Sequence, residues 1–235
     1  MTKSLLQCYK IGESVFGQSI DMWHFSNTSQ AKILIIGGVH GDEIEGIFLA
    51  EKIATYFVTE IKTPNFNKIK NNGIAIIPKF NPDGSLLNQR SNANDVDLNR
   101  NLPTKNWSSV ASNPKYKPGH IAGSEIETKI FLNLISTLKP KFIISLHSYS
   151  KSLLLYPLYN NISKNYIKQT QDLANKINLE IIQEMDYSVF GSLSKFGIEN
   201  SIATLTIELP RGENLFSIQK AFLTPIMEYI YEIID

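Results

Sequence analysis

Cysteine is almost missing from this chain: Cys8 is the only one, which excludes an internal disulfide framework and the cysteine-rich sets that close structural zinc sites. No apolar stretch approaches the roughly 18 to 20 residues that a membrane helix needs, so a membrane partner is not expected. Charge of one sign is also lacking. The 23 Lys and Arg against 22 Asp and Glu leave a net charge of +1, without a basic stripe carrying interleaved aromatics, and this argues against nucleic acid as a partner. No internal repeat or low-complexity tract appears, which excludes solenoid architectures. The stretch from Met1 to Lys10 lacks the long apolar core of an export signal, so a cytoplasmic location is expected. With 43% hydrophobic residues, the chain reads as one domain over residues 1–235 with a sizeable core. The oligomeric state is not written in the sequence.

Against these absences stands one dense segment, Gly37-Gly38-Val39-His40-Gly41-Asp42-Glu43. The apolar run 32–36 before it reads as a buried strand, and the residues from Asp42 read as a helix with Ile44, Ile47, Phe48 and Ala54 inward. A His and a Glu three positions apart on such a turn point to one side, above the carboxyl end of the strand, where open α/β sheets bind ligands. An imidazole and a carboxylate suit zinc, yet two ligands do not hold an ion. A second apolar strand, 142–146, also ends in a histidine, His147, which is the candidate third ligand. Two histidines and one carboxylate leave a coordination position open, the mark of catalytic rather than structural zinc. A third strand, 202–207, delivers Glu208, which reads either as a general base or as a surface carboxylate at a strand end.

Between these strand ends lie the turn signal Asn81-Pro82-Asp83-Gly84, then Arg90, then Val96-Asp97-Leu98-Asn99-Arg100-Asn101-Leu102-Pro103. Taken alone, Asp97 and Arg100 would be a solvated ion pair in a loop. The order His-x-x-Glu, Asn-Pro-Asp-Gly, Arg, Asp-x-Asn-Arg-Asn, His-Ser-Tyr-Ser and strand-end Glu resembles the zinc carboxypeptidases, over about residues 33–212. The resemblance implies one zinc ion held by His40, Glu43 and His147. It implies that Glu208 takes a proton from water and passes it to the leaving amine, that Arg90 stabilises the oxyanion, and that Asn99 and Arg100 grip the substrate's carboxylate. Asp97 matches an acid that bonds the free ring nitrogen of His40. Tyr187 matches a tyrosine that covers bound substrate, with a packed aromatic as the other reading.

Within that family the chain is most similar to the compact bacterial murein peptide amidases, on His-Gly-Asp-Glu, Thr206-Ile207-Glu208-Leu209-Pro210 and its size. This implies a small murein peptide as substrate, cut between the γ-carboxyl of D-glutamate and meso-diaminopimelate during cell-wall peptide recycling. Asp42, Asp186 and Arg211 are candidates for polar contacts to the far end of diaminopimelate, with ordinary surface charge as the alternative. Asp95 stands where family members carry glycine. Two further readings are an N-acyl amino acid deacylase of the aspartoacylase and succinylglutamate desuccinylase type, and a non-catalytic peptide binder.

The remaining pattern gives a strand over 74–77 and a helix opened by Ser124 and Glu127 at capping-box spacing, with Ile126, Ile130, Leu134 and Leu138 inward. Helices are expected over 162–177 and 215–234, the latter with Ile218, Phe222, Ile226, Tyr229 and Ile230 inward; His24 belongs to an early strand, residues 67–72 to an exposed loop, and His120 is given no role. The fold class is α/β, a mixed sheet with helices on both faces, as in the zinc carboxypeptidases.

Overall fold

The structure, a computed structural model, describes residues 7–111, 113–156, 163–184 and 189–234. Among these residues eight strands form one mixed sheet: β1 (Gln7–Glu13), β2 (Ser19–Phe25), β3 (Ile33–Gly37), β4 (Ile74–Ile77), β5 (Phe142–Tyr149), β6 (Leu153–Leu155), β7 (Ile181–Ile182) and β8 (Ala203–Pro210). Their spatial order is β1-β2-β4-β3-β5-β8-β6-β7. The central strands β4, β3, β5 and β8 run parallel, while β1 and β2 add an antiparallel flank and β6 pairs antiparallel to β8.

Among the described residues seven α-helices cover the sheet: α1 (Ile44–Glu60), α2 (Phe66–Asn72), α3 (Pro82–Leu86), α4 (Ile126–Leu138), α5 (Lys164–Ile177), α6 (Leu193–Glu199) and α7 (Leu215–Ile233). Side-chain alternation along each strand divides the core in two. Ile33 and Ile35 of β3, with Phe142, Ile144 and Leu146 of β5 and Leu205, Ile207 and Leu209 of β8, pack under α1, α2, α5 and α7. Leu34 and Ile36 of β3, with Ala75 and Ile77 of β4, face the other way, against α4 and α6. Parallel strands buried on both faces explain why these segments are continuously apolar in sequence.

On β5 and β8 the second face turns polar. Ser145 and His147 alternate with the core residues of β5, and Thr204, Thr206 and Glu208 alternate with those of β8. His147 and Glu208 are direct partners in the ladder. The alternation therefore carries one histidine and one acid to the same side at the carboxyl ends of adjacent strands.

Several local expectations are corrected. Residues 67–72 lie within helix α2 rather than an exposed loop, because Phe66 and Ile69, three apart, are both buried. Ile44 points outward at 53% exposure, and Phe48 is only half-buried; the buried stripe of α1 runs through Ile47, Leu49, Ala50, Ile53, Ala54 and Phe57. On α4 Ile126 is exposed and Ile130 half-buried, while Phe131 joins Leu134 and Leu138 inside. The capping box does not form, since α4 begins after Glu125, which makes no side-chain cap. Asn-Pro-Asp-Gly opens α3 rather than a simple turn, with the Asn81 side chain accepting from Gly84 N at 2.9 Å and Pro82 in the first turn. His24 lies on β2, buried, 3.3 Å from the Gln30 carbonyl. No helix among the described residues is long and apolar enough to cross a membrane.

Candidate active site

The parallel strands β3, β5 and β8 end at a cavity of about 540 Å³, lined among others by His40, Glu43, Arg90, Asn99, Arg100 and Glu208. His40 and Glu43 stand on the turn between β3 and α1. That turn is braced by Asn81, whose amide nitrogen donates to the carbonyls of Val39 and Arg90, each at 3.4 Å. Gly41 is required by a close approach, because a Cβ there would lie 2.0 Å from the carbonyl carbon of Gly84.

His40, Glu43 and His147 are all buried, and one potential ligand atom from each lies within 4.8 Å of the others. His40 Nδ1 is 2.7 Å from Glu43 Oε1, His147 Nδ1 is 2.8 Å from Glu43 Oε2, and the two Nδ1 atoms are 3.1 Å apart. The outer nitrogens are engaged elsewhere. His40 Nε2 lies 3.2 Å from Asp97 Oδ1, and His147 Nε2 lies 2.9 Å from Ser145 Oγ. If each Nε2 carries the proton, both Nδ1 lone pairs point at the same spot as a carboxylate. Three electron-rich atoms converging this way repel one another unless a cation joins them, and tetrahedral zinc would set its ligand atoms about 3.3 Å apart. The donor set therefore fits such an ion.

Asp97 links two parts of the site. One of its oxygens meets His40 and accepts from Asn99 N at 2.9 Å, while the other accepts from Arg90 Nε at 2.9 Å. Burial works against the charge on Asp97, but Arg90 and then His40 outweigh it and hold the carboxyl far below the usual range. Asp97 and Arg100 do not form the solvated loop pair that the isolated motif suggests. Both are buried, at 0% and 2% exposure, and the ion-pair partner of Asp97 is Arg90. Arg90 Nη1 also reaches within 3.5 Å of Glu43 Oε1, which places this guanidinium beside the three convergent ligand atoms.

Burial likewise pushes the Glu43 carboxyl up, and the imidazoles of His40 and His147 pull it well below the ordinary value. Glu208 behaves oppositely: burial raises it and the nearby Glu43 adds to the rise, against the pull of His147. A carboxyl whose pKa is raised and which lines a cavity has the character of a proton acceptor.

Asn99 and Arg100 come from a short 3-10 turn, Leu98–Arg100, nucleated when the Asp97 side chain accepts from Asn99 N. Asn99 Oδ1 accepts from Leu193 N at 2.8 Å, which leaves its amide nitrogen as the donor for a ligand. Arg100 Nη1 donates to its neighbour's carbonyl, Asn99 O, at 2.6 Å, and Arg100 Nε is buried without a hydrogen-bond partner among the described residues. Asp42 and Arg211 are brought together at the cavity as an ion pair with each other. Tyr187 and Asp186 lie outside the described residues.

Reasoning from sequence missed three contributors. Ser145 was visible only as part of a strand, although its spacing of two from His147 places both side chains on one face. Asn81 was visible only as a turn former. Tyr116, whose ring lies under both Arg90 and Arg100, carried no periodic or motif signal.

A model of the zinc carboxypeptidase family matches residues 1–232. Murein peptide amidase A from Vibrio campbellii is 29% identical over 213 residues, 85% of this chain and 77% of the relative. Its namesake from Escherichia coli K12 is 25% identical over 210 residues, 85% and 79% of the two chains. The solved structure of a murein-tripeptide amidase from Escherichia coli O157 superposes with a TM-score of 0.72 at 21% identity, covering 97% of this chain and 98% of that one. That likeness establishes the mixed-sheet architecture as a known one.

Proposed function

The chain belongs to the zinc carboxypeptidase family and is a hydrolase, and from that footing we propose that it is a murein peptide amidase. The bond it cuts joins the γ-carboxyl of D-glutamate to meso-diaminopimelate in murein tripeptide, as part of recycling cell-wall peptides in the cytoplasm, and residues 1–235 act as one catalytic domain. The observation that carries the reading is the convergence of His40 Nδ1, Glu43 and His147 Nδ1 at the cavity that Glu208, Arg90 and Arg100 line. The named relatives, aligned over most of both chains, support the choice of substrate.

His40, Glu43 and His147 would hold one zinc ion. When bound, it supplies Lewis acidity, polarising the amide carbonyl and making water easier to deprotonate. Glu208 accepts a proton from the attacking water on its carboxylate and returns it to the leaving nitrogen, so that the C–N bond breaks with a neutral amine. The Arg90 guanidinium, fixed by Asp97, faces the oxygen on which negative charge grows. Diaminopimelate carries a carboxylate beside the scissile amide. Asn99 and Arg100 grip it, because a guanidinium fork bonds both carboxylate oxygens at once. Asp97 fixes the ring of His40, and Tyr187 covers the substrate.

Mass spectrometry of L-Ala-γ-D-Glu-meso-diaminopimelate incubated with the zinc-loaded protein tests the proposal, beside a C-terminal dipeptide and an N-acyl amino acid. Release of diaminopimelate is the expected result. Cleavage of the dipeptide alone would redirect the substrate, and release of an acyl group alone would favour a deacylase.

A further inference from the structure

Arg100 is a buried cation that forms no ion pair with a carboxylate among the described residues; what lies against it is a tyrosine. Its guanidinium carbon stands over the Tyr116 ring at 5.0 Å from the centre, and that of Arg90 stands over the same ring, also at 5.0 Å. Tyr116 is half-buried and lines the cavity.

The residues that follow Tyr116 are tied to the segment 97–101, which carries Arg100 and, through Asp97, holds Arg90. Lys117 O accepts from Asp97 N at 2.8 Å, and Pro118 O accepts from Asn101 Nδ2 at 2.8 Å. Asn101 Nδ2 also reaches Ile121 O and Ser124 Oγ. The ring is thus placed by the same short stretch of chain that places the guanidiniums.

An aromatic face and a carboxylate both attract a guanidinium, with different consequences. A carboxylate neutralises the charge and occupies the N–H edges. A ring takes the flat face, leaving the charge uncancelled and the edges free. At Arg100, which pairs with no carboxylate among the described residues, the second arrangement keeps the subsite receptive to an anion, whereas Arg90 combines the ring on its face with the Asp97 carboxylate at its Nε edge. The ring also offsets the repulsion between two cations held near it.

We propose that Tyr116 is a specificity-determining residue of this subsite: its ring holds Arg100 and Arg90 by their faces, so that a ligand's free carboxylate, adjacent to the scissile bond, is favoured over neutral groups in that place. The proposal rests on the assignment of Arg100 to carboxylate binding made above.

The experiment is calorimetric binding to zinc-loaded protein carrying Glu208→Gln, which slows turnover enough for binding to be read before hydrolysis. The probes are the murein tripeptide, its counterpart with the carboxylate next to the scissile amide converted to carboxamide, and N-acetyl-Gly-Phe as an ordinary C-terminal peptide. Tyr116→Leu is expected to weaken the carboxylate peptides about tenfold while leaving the carboxamide unchanged, and Tyr116→Phe, which keeps the ring face, to bind like the parent. Tyr116→Met serves as a second ring-less variant, and melting temperature and zinc content verify that each is intact. Equal losses for carboxylate and carboxamide, or no loss in either ring-less variant, would overturn the role of Tyr116. If the parent binds N-acetyl-Gly-Phe and not the tripeptide, with the same dependence on Tyr116, the murein substrate fails and Tyr116 stands. Failure of the parent to bind either carboxylate peptide would remove both.

Discussion

Ser145 Oγ lies 2.9 Å from His147 Nε2, on the side of the ring away from Glu43 and His40. The hydroxyl can accept the Nε2 proton, which keeps Nδ1 bare and aimed at the other ligand atoms. Loss of such a supporting partner typically costs about 10- to 100-fold in metal affinity. Ser145→Ala should show that loss in a zinc competition titration, and Ser145→Thr, which keeps a hydroxyl on a strand-compatible side chain, should recover most of it. Unchanged affinity in Ser145→Ala would show that the contact does not orient the histidine.

Glu208→Gln should retain zinc, because Glu208 is not one of the three convergent atoms. Turnover of the tripeptide should fall by on the order of 10²- to 10⁴-fold, the usual contribution of a positioned acid-base group. Elemental analysis and steady-state kinetics on one preparation separate the two effects; loss of metal together with activity would move Glu208 into the ligand set.

Glu127 provides a pH test away from the cavity. It is fully buried, Asn92 Nδ2 donates to Oε2 at 3.1 Å, and Oε1 has no partner among the described residues. Burial raises its pKa from 4.5, and the charges of Glu125 and Asp83 add to the rise. Since the folded state then holds the proton more tightly than the unfolded chain, this contribution to stability is complete below pH 4.5 and is lost as pH rises through the elevated folded value. In urea titrations, Glu127→Gln should gain stability relative to the parent as pH is raised through that window. A difference that stays flat with pH would show that the carboxyl is not held protonated by folding.

Asp95 adopts φ 59°, in the left-handed region, where glycine is at ease and β-branched residues are not. Asp95→Gly should leave zinc affinity and fold intact, whereas Asp95→Val should destabilise by about 1–2 kcal/mol, read as a lower denaturation midpoint. The exposed contact between Asp95 and Lys117 contributes little to either outcome. Equal stability of the glycine and valine variants would contradict the backbone explanation.

Much of the site could be read before any coordinates because the chemistry sits at the ends of apolar strands. His40, His147 and Glu208 each follow a run whose burial on both sides leaves little choice but a parallel central strand, and the ends of such strands meet at one edge. The strands β1, β6 and β7, at or next to the sheet edges, were not legible, since they are short or only partly buried and carry no strong alternation. The outward turn of Ile44 and Ile126 has a common cause: each is the first residue of its helix, where the incoming chain rather than the helical period sets the direction. Tyr116 escaped notice because its meeting with Arg100 depends on the path of an irregular loop, which obeys neither period.

The strands β5 and β8 present core residues and reactive residues at alternate positions, in register. A one-residue insertion within either would rotate His147 or Glu208 into the oily layer under α1 and α7 and bring leucines to the cavity, so both would fail together. New substrate preferences must therefore arise in the rim, where segments such as 113–118 can lengthen, shorten or change composition without disturbing the ladder beneath.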